Sequence, residues 1–338
     1  MLRPKIAVVH PPFGWGGSDA VALWTVEALK DDYDVSLITS GEVNLSRLNL
    51  FHGTSLMDGE LSILLVPIPL GLNRTKKFAA LRGRFIQRYC QRVATNFDLM
   101  ISAYNPCDFG IPGIQLVADL EDLPQILPLK NWKRMWYGDT PLRRAYLTLC
   151  DWISSGKPEG WMKNLTLANS KWTAGLIQDK YGVEVGVIYP PVSSQYSLTR
   201  YENKSNGFVC IGRIIPEKRI EDIVEILARV RTIGHEVHLH VVGGPDGKGR
   251  YSAELQEKLH KLYPDWVFFE GRIDEESKNS VISNHRYGIS GRIGEPFGIA
   301  VAEMVKAGSI VLVPDNGGQV EIVDHPNLVY LDVPDAVY

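Results

Sequence analysis

The sequence predicts an α/β protein with two domains, each built on a parallel β-sheet that helices cover on both faces. Short runs of apolar and β-branched residues alternate with helical segments along the whole 338-residue chain. Because these runs are apolar on both faces, they are typical of parallel strands buried between two layers of helices. They fall into two series, separated by a Pro-, Ser- and Asn-rich stretch at 189–207 that we predict to be the interdomain linker.

The predicted strands divide evenly between the two domains. Those of the N-terminal domain, residues 1–188, are 5–10, 35–39, 62–68, 98–104, 113–119 and 165–170. Those of the C-terminal domain, residues 208–338, are 208–214, 237–244, 266–273, 287–292, 309–316 and 328–333. This order predicts two Rossmann-like domains facing a central cleft, with ligands at the carboxyl ends of the strands.

Composition and charge narrow the class of protein. A hydrophobic fraction of 45% and a net charge of −3 are ordinary for a soluble protein and give no basic field for nucleic acid. The four cysteines are widely spaced and form no C-x-x-C pair, so the sequence predicts no metal site and no disulfide framework. The first strand begins too early for a signal peptide, and no apolar run is long enough to span a membrane. We therefore expect a cytoplasmic protein.

A glycine-rich loop follows the first predicted strand. Gly14, Gly16 and Gly17 precede a helix that begins near Ser18, and such glycines let a ligand approach the backbone closely. Ser18 or Asp19 can cap this helix. The loop does not match the G-x-G-x-x-G dinucleotide motif, and the second strand lacks the acidic residue that binds a ribose, which disfavours a dinucleotide oxidoreductase. An ordinary tight turn fits this stretch equally well.

Two cations follow the first strand of the C-terminal domain. Arg213 lies at the end of the run "FVCIGR", and Lys218 follows near the start of the next helix. Arginine can bind a phosphate bidentately and lysine adds a point charge, so the pair suits a diphosphate. Two solvated surface cations are the alternative.

The stretch "EPFGIAVAE" carries two glutamates, Glu295 and Glu303, with no other charge between them. The following proline disfavours helix at Glu295, which we place on a loop, whereas Glu303 lies inside a helix that begins near Gly298. The backbone N–H groups of Phe297, Gly298 and Ile299 then point out of the positive end of that helix, where a phosphate binds well. A capped helix with an incidental polar residue is the alternative.

Taken together, "GRIIPEK", "EPFGIAVAE" and "AGSIVLVPDNGGQVEIV" resemble the retaining GT-B glycosyltransferases of family four, the glycosyl transferases group 1. The resemblance extends to "LANSKWTAGLI" and "IYPPV" and covers almost the whole chain. It implies a GT-B fold with an acceptor-binding N-terminal domain and a donor-binding C-terminal domain.

The resemblance also implies how a nucleotide-sugar donor is bound. Arg213 and Lys218 look like the family's diphosphate-binding pair, and the loop with Gly16 and Gly17 resembles the one that closes over the diphosphate. Ile273, after "FEG", stands where the family's backbone meets the base.

The two glutamates take different roles in the family. Glu295 looks like the glutamate that faces the transferred sugar, with the amides of Phe297 and Gly298 on the sugar hydroxyls or the phosphate. Glu303 looks like the one that accepts hydrogen bonds from the ribose.

The implied activity is transfer of a hexose from a UDP-, GDP- or ADP-linked sugar to a hydroxyl of a saccharide or lipid-linked acceptor. Configuration is retained, without metal or cofactor, in polysaccharide or glycolipid biosynthesis. Charge stabilisation of the departing diphosphate is the physical basis.

The chain departs from the family in two places. Many relatives carry a histidine near the first domain's cleft, where this chain reads "GIQLVADLEDL"; Asp119 is a candidate to replace it as an orienting or proton-accepting group. Capping of a helix is the alternative for Asp119. Relatives also continue into further C-terminal helices, whereas this chain stops at Tyr338.

Two basic segments carry interleaved aromatic residues. Residues 71–97 hold seven Lys or Arg and no acidic residue, and residues 130–144 add more cations beside two tryptophans. We expect contact of residues 74–92 and 130–144 with an anionic membrane surface, which makes the protein peripheral on the cytoplasmic face. A core-facing helix with a solvated basic face is the alternative.

Two alternatives to a transferase remain open at this stage. One is a nucleotide-sugar epimerase of the same architecture, which needs no acceptor. The other is a non-catalytic nucleotide-sugar-binding protein, in which donor binding persists without transfer.

Overall fold

A computed structural model describes residues 3–14, 16–69, 72, 78–118, 141–154, 159–192, 196–197, 199–245 and 249–337. The chain divides into two compact units, Met1–Pro191 and Val192–Tyr338. The predicted linker, 189–207, lies at this division. Its last residues, 205–207, already belong to the first strand of the second unit.

The first unit contains a parallel sheet in which seven strands are described. In spatial order the strands are β3-β2-β1-β4-β5-β6-β7. Their bounds are β1 Lys5–Val9, β2 Asp34–Thr39, β3 Ser62–Leu65, β4 Leu99–Ser102, β5 Ile114–Val117, β6 Leu165–Ala168 and β7 Val185–Val187. All neighbouring strands in this sheet pair in parallel.

Helices cover both faces of this sheet. Their bounds are α1 Gly17–Leu29, α2 Leu45–His52, α3 Ala79–Val93, α4 Pro141–Ser154 and α5 Lys171–Tyr181. One face of the sheet packs against α1 and α2, around Val8, Leu23 and Leu37. The other face packs against α3, around Val9 and Met100.

The second unit repeats this plan with six described strands. Their order is β10-β9-β8-β11-β12-β13, again with parallel neighbours. The strands are β8 Ser205–Ile211, β9 His238–Val242, β10 Val267–Gly271, β11 His285–Ile289, β12 Ile310–Pro314 and β13 Val329–Tyr330. The helices are α6 Ile220–Thr232, α7 Arg250–Leu262, α8 Glu275–Ser283, α9 Ile299–Lys306 and α10 Val320–Val323.

The predicted α/β class is confirmed, and each predicted strand is present. The sequence missed β7, Val185–Val187, because three residues are too few for a periodic pattern. It also placed the start of β11 at Tyr287, whereas the strand begins at His285. Among the described helices, none combines the length and apolar character needed to cross a bilayer.

Strand order fixes where each unit can bind a ligand. In each sheet the order reverses at one place, between β1 and β4 in the first unit and between β8 and β11 in the second. In open parallel sheets, ligands bind beyond the carboxyl ends of the strands at such a reversal. We therefore expect ligands to bind near the loops after β1, β8 and β11.

Candidate functional site

An ion pair joins the loops that follow β8 and β11. Lys218 Nζ lies 2.9 Å from Glu295 Oε2, and both side chains are mostly buried. Arg292 reaches the other carboxylate oxygen at 3.6 Å. The structure thus brings together two residues that the sequence predicted separately, at the strand reversal of the second unit. Arg213, on the loop after β8, is exposed and close enough to act on Glu295 electrostatically.

The three nearby cations affect the pKa of the Glu295 carboxyl group. Burial disfavours the ionised form, but Lys218, Arg292 and Arg213 outweigh it and hold the pKa of the carboxyl below its ordinary value. Glu295 is therefore ionised at neutral pH. A depressed pKa means that the pair stabilises the fold above the ordinary glutamate pKa and loses that effect as the pH falls through the lowered value.

The backbone of Glu295 is fixed by the loop that follows β12. Gly318 N donates to Glu295 O at 2.8 Å, and Glu295 forms an isolated bridge with Gly317. Gly317 has φ +123°, and a Cβ there would lie 2.6 Å from Glu295 O. Only glycine satisfies both conditions, so the structure of the site requires Gly317.

Helix α9 begins directly after the loop that follows β11 and carries Glu295, as the sequence predicted. Gly298 is its N-cap, with φ +104°, and no side chain caps the helix. The Phe297 side chain is 7% exposed, so its ring belongs to the interior. The amides of Gly298 and Ile299 lie at the positive end of α9, a suitable place for an anion.

Glu303 lies within α9 and is paired with a lysine that the sequence did not predict. Lys278 Nζ lies 2.8 Å from Glu303 Oε1 and 2.9 Å from Glu275 Oε2. Burial acts to lower the pKa of Lys278, but Glu303 and Glu275 raise it above its ordinary value. Lys278 thus orients the carboxylate of Glu303, which lies on the helix whose amino end suits an anion.

Two further residues reach the site through contacts that the sequence does not reveal. Arg292 contacts Glu295 as described above. Gln319 is fully buried, and its Nε2 donates to Arg292 O at 2.7 Å. Its Oε1 has no hydrogen-bond partner among the described residues, which leaves one buried acceptor beside the N-terminus of α9.

Ile273 lies on the loop after β10, at the same end of the sheet as Glu295. Its partly buried side chain packs against the core cluster that contains Val242 and Val301. A role of Ile273 beside the base stays a prediction.

In the first unit, the glycine loop after β1 is organised by Asp19. Gly14 N and Gly16 N donate to the two oxygens of Asp19 at 3.1 and 2.6 Å. Gly16 is the N-cap of α1, and Gly17 is its first residue. Of the two residues that the sequence offered as caps, Asp19 contributes: as the third residue of α1, it accepts a hydrogen bond from the backbone N–H of the N-cap Gly16.

His10 lies under this loop at the end of β1. It stacks on Phe13, and its Nε2 lies 3.8 Å from Asp19 Oδ1. Burial lowers the pKa of His10, with Asp19 acting in the opposite direction. None of the sequence motifs pointed to this histidine. Asp119, with the acidic residues that follow it, lies outside the described residues.

The second unit shows clear similarity to a known family. Residues 199–331 match the model of glycosyl transferases group 1. The second unit is a glycosyl transferases group 1 domain. This match confirms the resemblance that the sequence motifs predicted.

Several curated relatives of this chain are named as mannosyltransferases, and one is named as a probable sucrose-phosphate synthase. The chain is 27% identical over 246 residues to GDP-Man:Man(3)GlcNAc(2)-PP-Dol alpha-1,2-mannosyltransferase of Candida glabrata, which covers 62% of this chain and 46% of that one. It is 24% identical over 232 residues to human alpha-1,3/1,6-mannosyltransferase ALG2, covering 59% and 53%. The chain thus spans about half the length of the curated relatives it matches.

Comparison with solved structures confirms the predicted GT-B fold of this chain. HepE of Anabaena, in complex with UDP and glucose, superposes with a TM-score of 0.65 at 15% identity, covering 99% of this chain and 88% of that one. WaaG, a glycosyltransferase involved in lipopolysaccharide biosynthesis, superposes with a TM-score of 0.62 at 19% identity, covering 94% and 83%. At these identities the likeness is one of fold.

Part of the predicted membrane surface lies in α3 of the first unit. Residues 74–77 and 130–140 lie outside the described residues. In α3, Ile86 and Cys90 are buried in the core, so the apolar face of this helix packs inward. Exposed apolar side chains lie within or close to the two basic segments in sequence. Phe78 lies in the first segment, and Leu149 and Trp152 follow the second, with Trp152 80% exposed.

We predict that the Lys278–Glu303 pair stabilises the group 1 domain. Lys278→Ala leaves Glu303 mostly buried without its cation, so the free energy of unfolding should fall by about 1–3 kcal/mol at pH 7. Urea unfolding monitored by circular dichroism measures this. Lys261→Ala, on the exposed face of α7, is the matched control, and we expect less than about 0.5 kcal/mol from it. Equal losses in the two variants contradict the assignment.

Proposed function

We propose that this protein is a retaining glycosyltransferase that moves a hexose from a nucleoside-diphosphate sugar to a hydroxyl acceptor. One observation carries the proposal: Lys218, Arg292 and Arg213 surround Glu295 where the strand order reverses in the group 1 domain. Three cations around one carboxylate leave an excess of positive charge, which suits a diphosphate.

Binding of the donor rearranges the ion pair in this proposal. The diphosphate takes Lys218 and Arg213 as partners and lies against the amino end of α9. Glu295, released from Lys218, accepts hydrogen bonds from hydroxyls of the transferred sugar. Arg292 remains beside Glu295 and keeps it ionised, so that it acts as an acceptor throughout.

The transfer step follows from this arrangement of charge. The bond between the anomeric carbon and the diphosphate oxygen breaks, and the bonding electrons leave with the diphosphate. The acceptor oxygen forms a bond to the same face of that carbon, and its proton passes to a departing phosphate oxygen. Lys218, Arg213 and the α9 amides stabilise the charge that develops on the leaving group. Because side chains supply this charge, we propose a reaction that needs no metal.

Glu303 binds the ribose in this proposal. Its pairing with Lys278 orients the carboxylate, and a carboxylate accepts hydrogen bonds through both oxygens. One oxygen engages Lys278, and the other is assigned to the ribose hydroxyls. The base lies near Ile273. The names of the mannosyltransferase relatives include GDP-Man, and the HepE structure contains UDP, so GDP and UDP are the first nucleotides to test.

We predict that one nucleotide series stabilises the protein against heat. The measurement is a thermal-shift screen with UDP, GDP, ADP and their sugar conjugates. Lys218→Ala and Glu303→Ala should each abolish most of the shift, because each removes a charged contact to the donor, whereas Lys261→Ala should keep it. With the donor identified, Lys218→Ala should lower kcat/KM about 100-fold.

Product analysis completes this test. We expect transfer to an acceptor, with the anomeric configuration of the donor in the product and with activity unchanged by a chelator. If the protein converts the sugar of the donor to another sugar without any acceptor, it is an epimerase. Donor binding without any transfer indicates a non-catalytic protein, and no shift with any nucleotide removes the donor site from the proposal.

We further propose that Asp119 orients the acceptor or accepts a proton in place of the family's histidine. Asp119→Asn keeps the size of the side chain but cannot accept a proton at neutral pH. We expect turnover to fall by about 100-fold or more while donor binding stays within about twofold. Asp122→Asn, in the same acidic segment, is the control. Unchanged turnover in Asp119→Asn eliminates it from the mechanism.

A lipid-linked acceptor at an anionic membrane surface is the acceptor class that we propose. Because the apolar face of α3 is buried, contact rests on its basic residues and on the exposed aromatic side chains. We predict sedimentation with phosphatidylserine-containing vesicles at low salt and release at high salt. Charge reversal at Arg88 and Arg92 together should weaken binding roughly tenfold, whereas reversal at Lys258 and Lys261 should not. Absence of sedimentation with the unaltered protein contradicts membrane contact.

A further inference from the structure

Three histidines of the second unit converge at the amino ends of its strands. His238 begins β9, His240 lies two residues further along it, and His285 begins β11. One side-chain nitrogen from each ring lies within 4.8 Å of the others. The cluster therefore lies at the end of the sheet opposite to Lys218 and Glu295, and the proposed transfer reaction makes no use of it.

A glycine in the intervening strand makes room for the rings. β8 separates β9 from β11, and Gly207 of β8 is paired with His238. A Cβ on Gly207 would lie 2.3 Å from His238 Nε2. Since Gly207 is not among the glycines with positive φ, its backbone conformation does not require glycine. The space that it leaves is filled by the histidine.

Hydrogen bonds fix which nitrogen of two rings carries a proton. His285 Nδ1 lies 2.6 Å from Val281 O, and His240 Nδ1 lies 2.6 Å from Glu270 Oε1. A carbonyl and a carboxylate accept but do not donate, so each Nδ1 carries the hydrogen. Nε2 of His285 and of His240 is therefore a lone-pair nitrogen. A carboxylate or a backbone carbonyl behind the ring is the usual support of a metal-ligating histidine.

The third ring completes the set of donors. His238 Nε2 lies 3.1 Å from His285 Nε2. Two nitrogens bound to one tetrahedral Zn²⁺ are about 3.3 Å apart, from Zn–N bonds of about 2.0–2.1 Å. Without a metal, His238 must donate a hydrogen to His285 at this distance. With a metal, that hydrogen moves to Nδ1 of His238, and Nε2 becomes the third ligand.

The surroundings of His238 and His285 favour the neutral imidazole, which metal binding requires. Burial, His285, His240 and Arg231 together lower the pKa of His238 to about 4. Burial also lowers the pKa of His285. At neutral pH His238 and His285 therefore offer lone pairs rather than positive charges.

We propose that His238, His240 and His285 form a binding site for a divalent transition metal, with Zn²⁺ as the expected ion. Three imidazoles with a water as fourth ligand satisfy the tetrahedral coordination of Zn²⁺, and Glu270 supports His240 from behind. The ion joins β9 to β11 across β8. Its expected effect is stabilisation of the second unit, separate from sugar transfer.

The test uses the full-length chain without a histidine tag. After loading with Zn²⁺ and dialysis, elemental analysis should find one ion per chain, and Co²⁺ in its place should give the visible absorption of a tetrahedral site. Saturating Zn²⁺ should raise the Tm of the second unit by about 5–10 °C at a hundredfold excess over its dissociation constant.

Variants distinguish this site from incidental binding by surface histidines. His285→Gln should lose the ion. Glu270→Gln, which keeps all three ligands, should weaken binding about 10–100-fold. Gly207→Ala should also weaken it, because the new methyl group displaces His238. His235→Gln, a change at an exposed histidine of the same unit, should leave binding unchanged.

Two results overturn the proposal. One is the absence of Zn²⁺ and Co²⁺ binding by the unaltered chain at stoichiometric metal. The other is binding that His285→Gln, Glu270→Gln and Gly207→Ala all leave intact in variants whose circular dichroism shows a folded chain. Neither depends on glycosyl transfer, so the metal site and the proposed function can fail separately.

Discussion

The second unit depends on one constraint: a lysine after β8 and a glutamate after β11 must meet where the strand order reverses. The 2.9 Å contact between Lys218 and Glu295 joins segments that are 77 residues apart. Both side chains are mostly buried, and a buried ion pair is weak support for stability because desolvation offsets attraction. Its physical value is pre-organisation. The pair holds a cation and a carboxylate in place near the start of α9, which has no side-chain cap. Two further cations, Arg292 and Arg213, lie beside it.

The glycines near this pair follow from the same constraint. Gly317 approaches Glu295 O too closely to carry a Cβ, and Gly291 faces Lys218 O, where a Cβ would lie 2.6 Å away. The loops after β8, β11 and β12 are therefore packed backbone against backbone. Such packing leaves little freedom for Glu295, which suits its proposed role of orienting the transferred sugar.

The sequence predicted what depends on local pattern and missed what depends on distant contacts. Apolar runs located the strands, and Pro296 separated a loop position for Glu295 from a helical one for Glu303, as observed. Lys278 and Arg292 were missed because a charged residue at a helix start or in a loop looks the same whether solvated or paired. The histidine cluster was missed for a related reason. His285 lies 47 residues from His238, and only the pairing of β8 with both neighbours brings the rings together.

The two glutamates of "EPFGIAVAE" are best understood through their separate lysines. An unpaired carboxylate in a mostly buried position tends to take up a proton, and a protonated carboxyl donates through one oxygen as well as accepting. Recognition of sugar hydroxyls by acceptance alone requires the ionised form. Lys218 and Arg292 secure it for Glu295, whereas Lys278 is the cation paired with Glu303. The difference lies in what a phosphate can displace. In the proposed donor complex, Lys218 turns from Glu295 to the phosphate, whereas Lys278 is also held by Glu275 and stays with Glu303. One carboxylate is then released by the donor, and the other is fixed before the donor arrives.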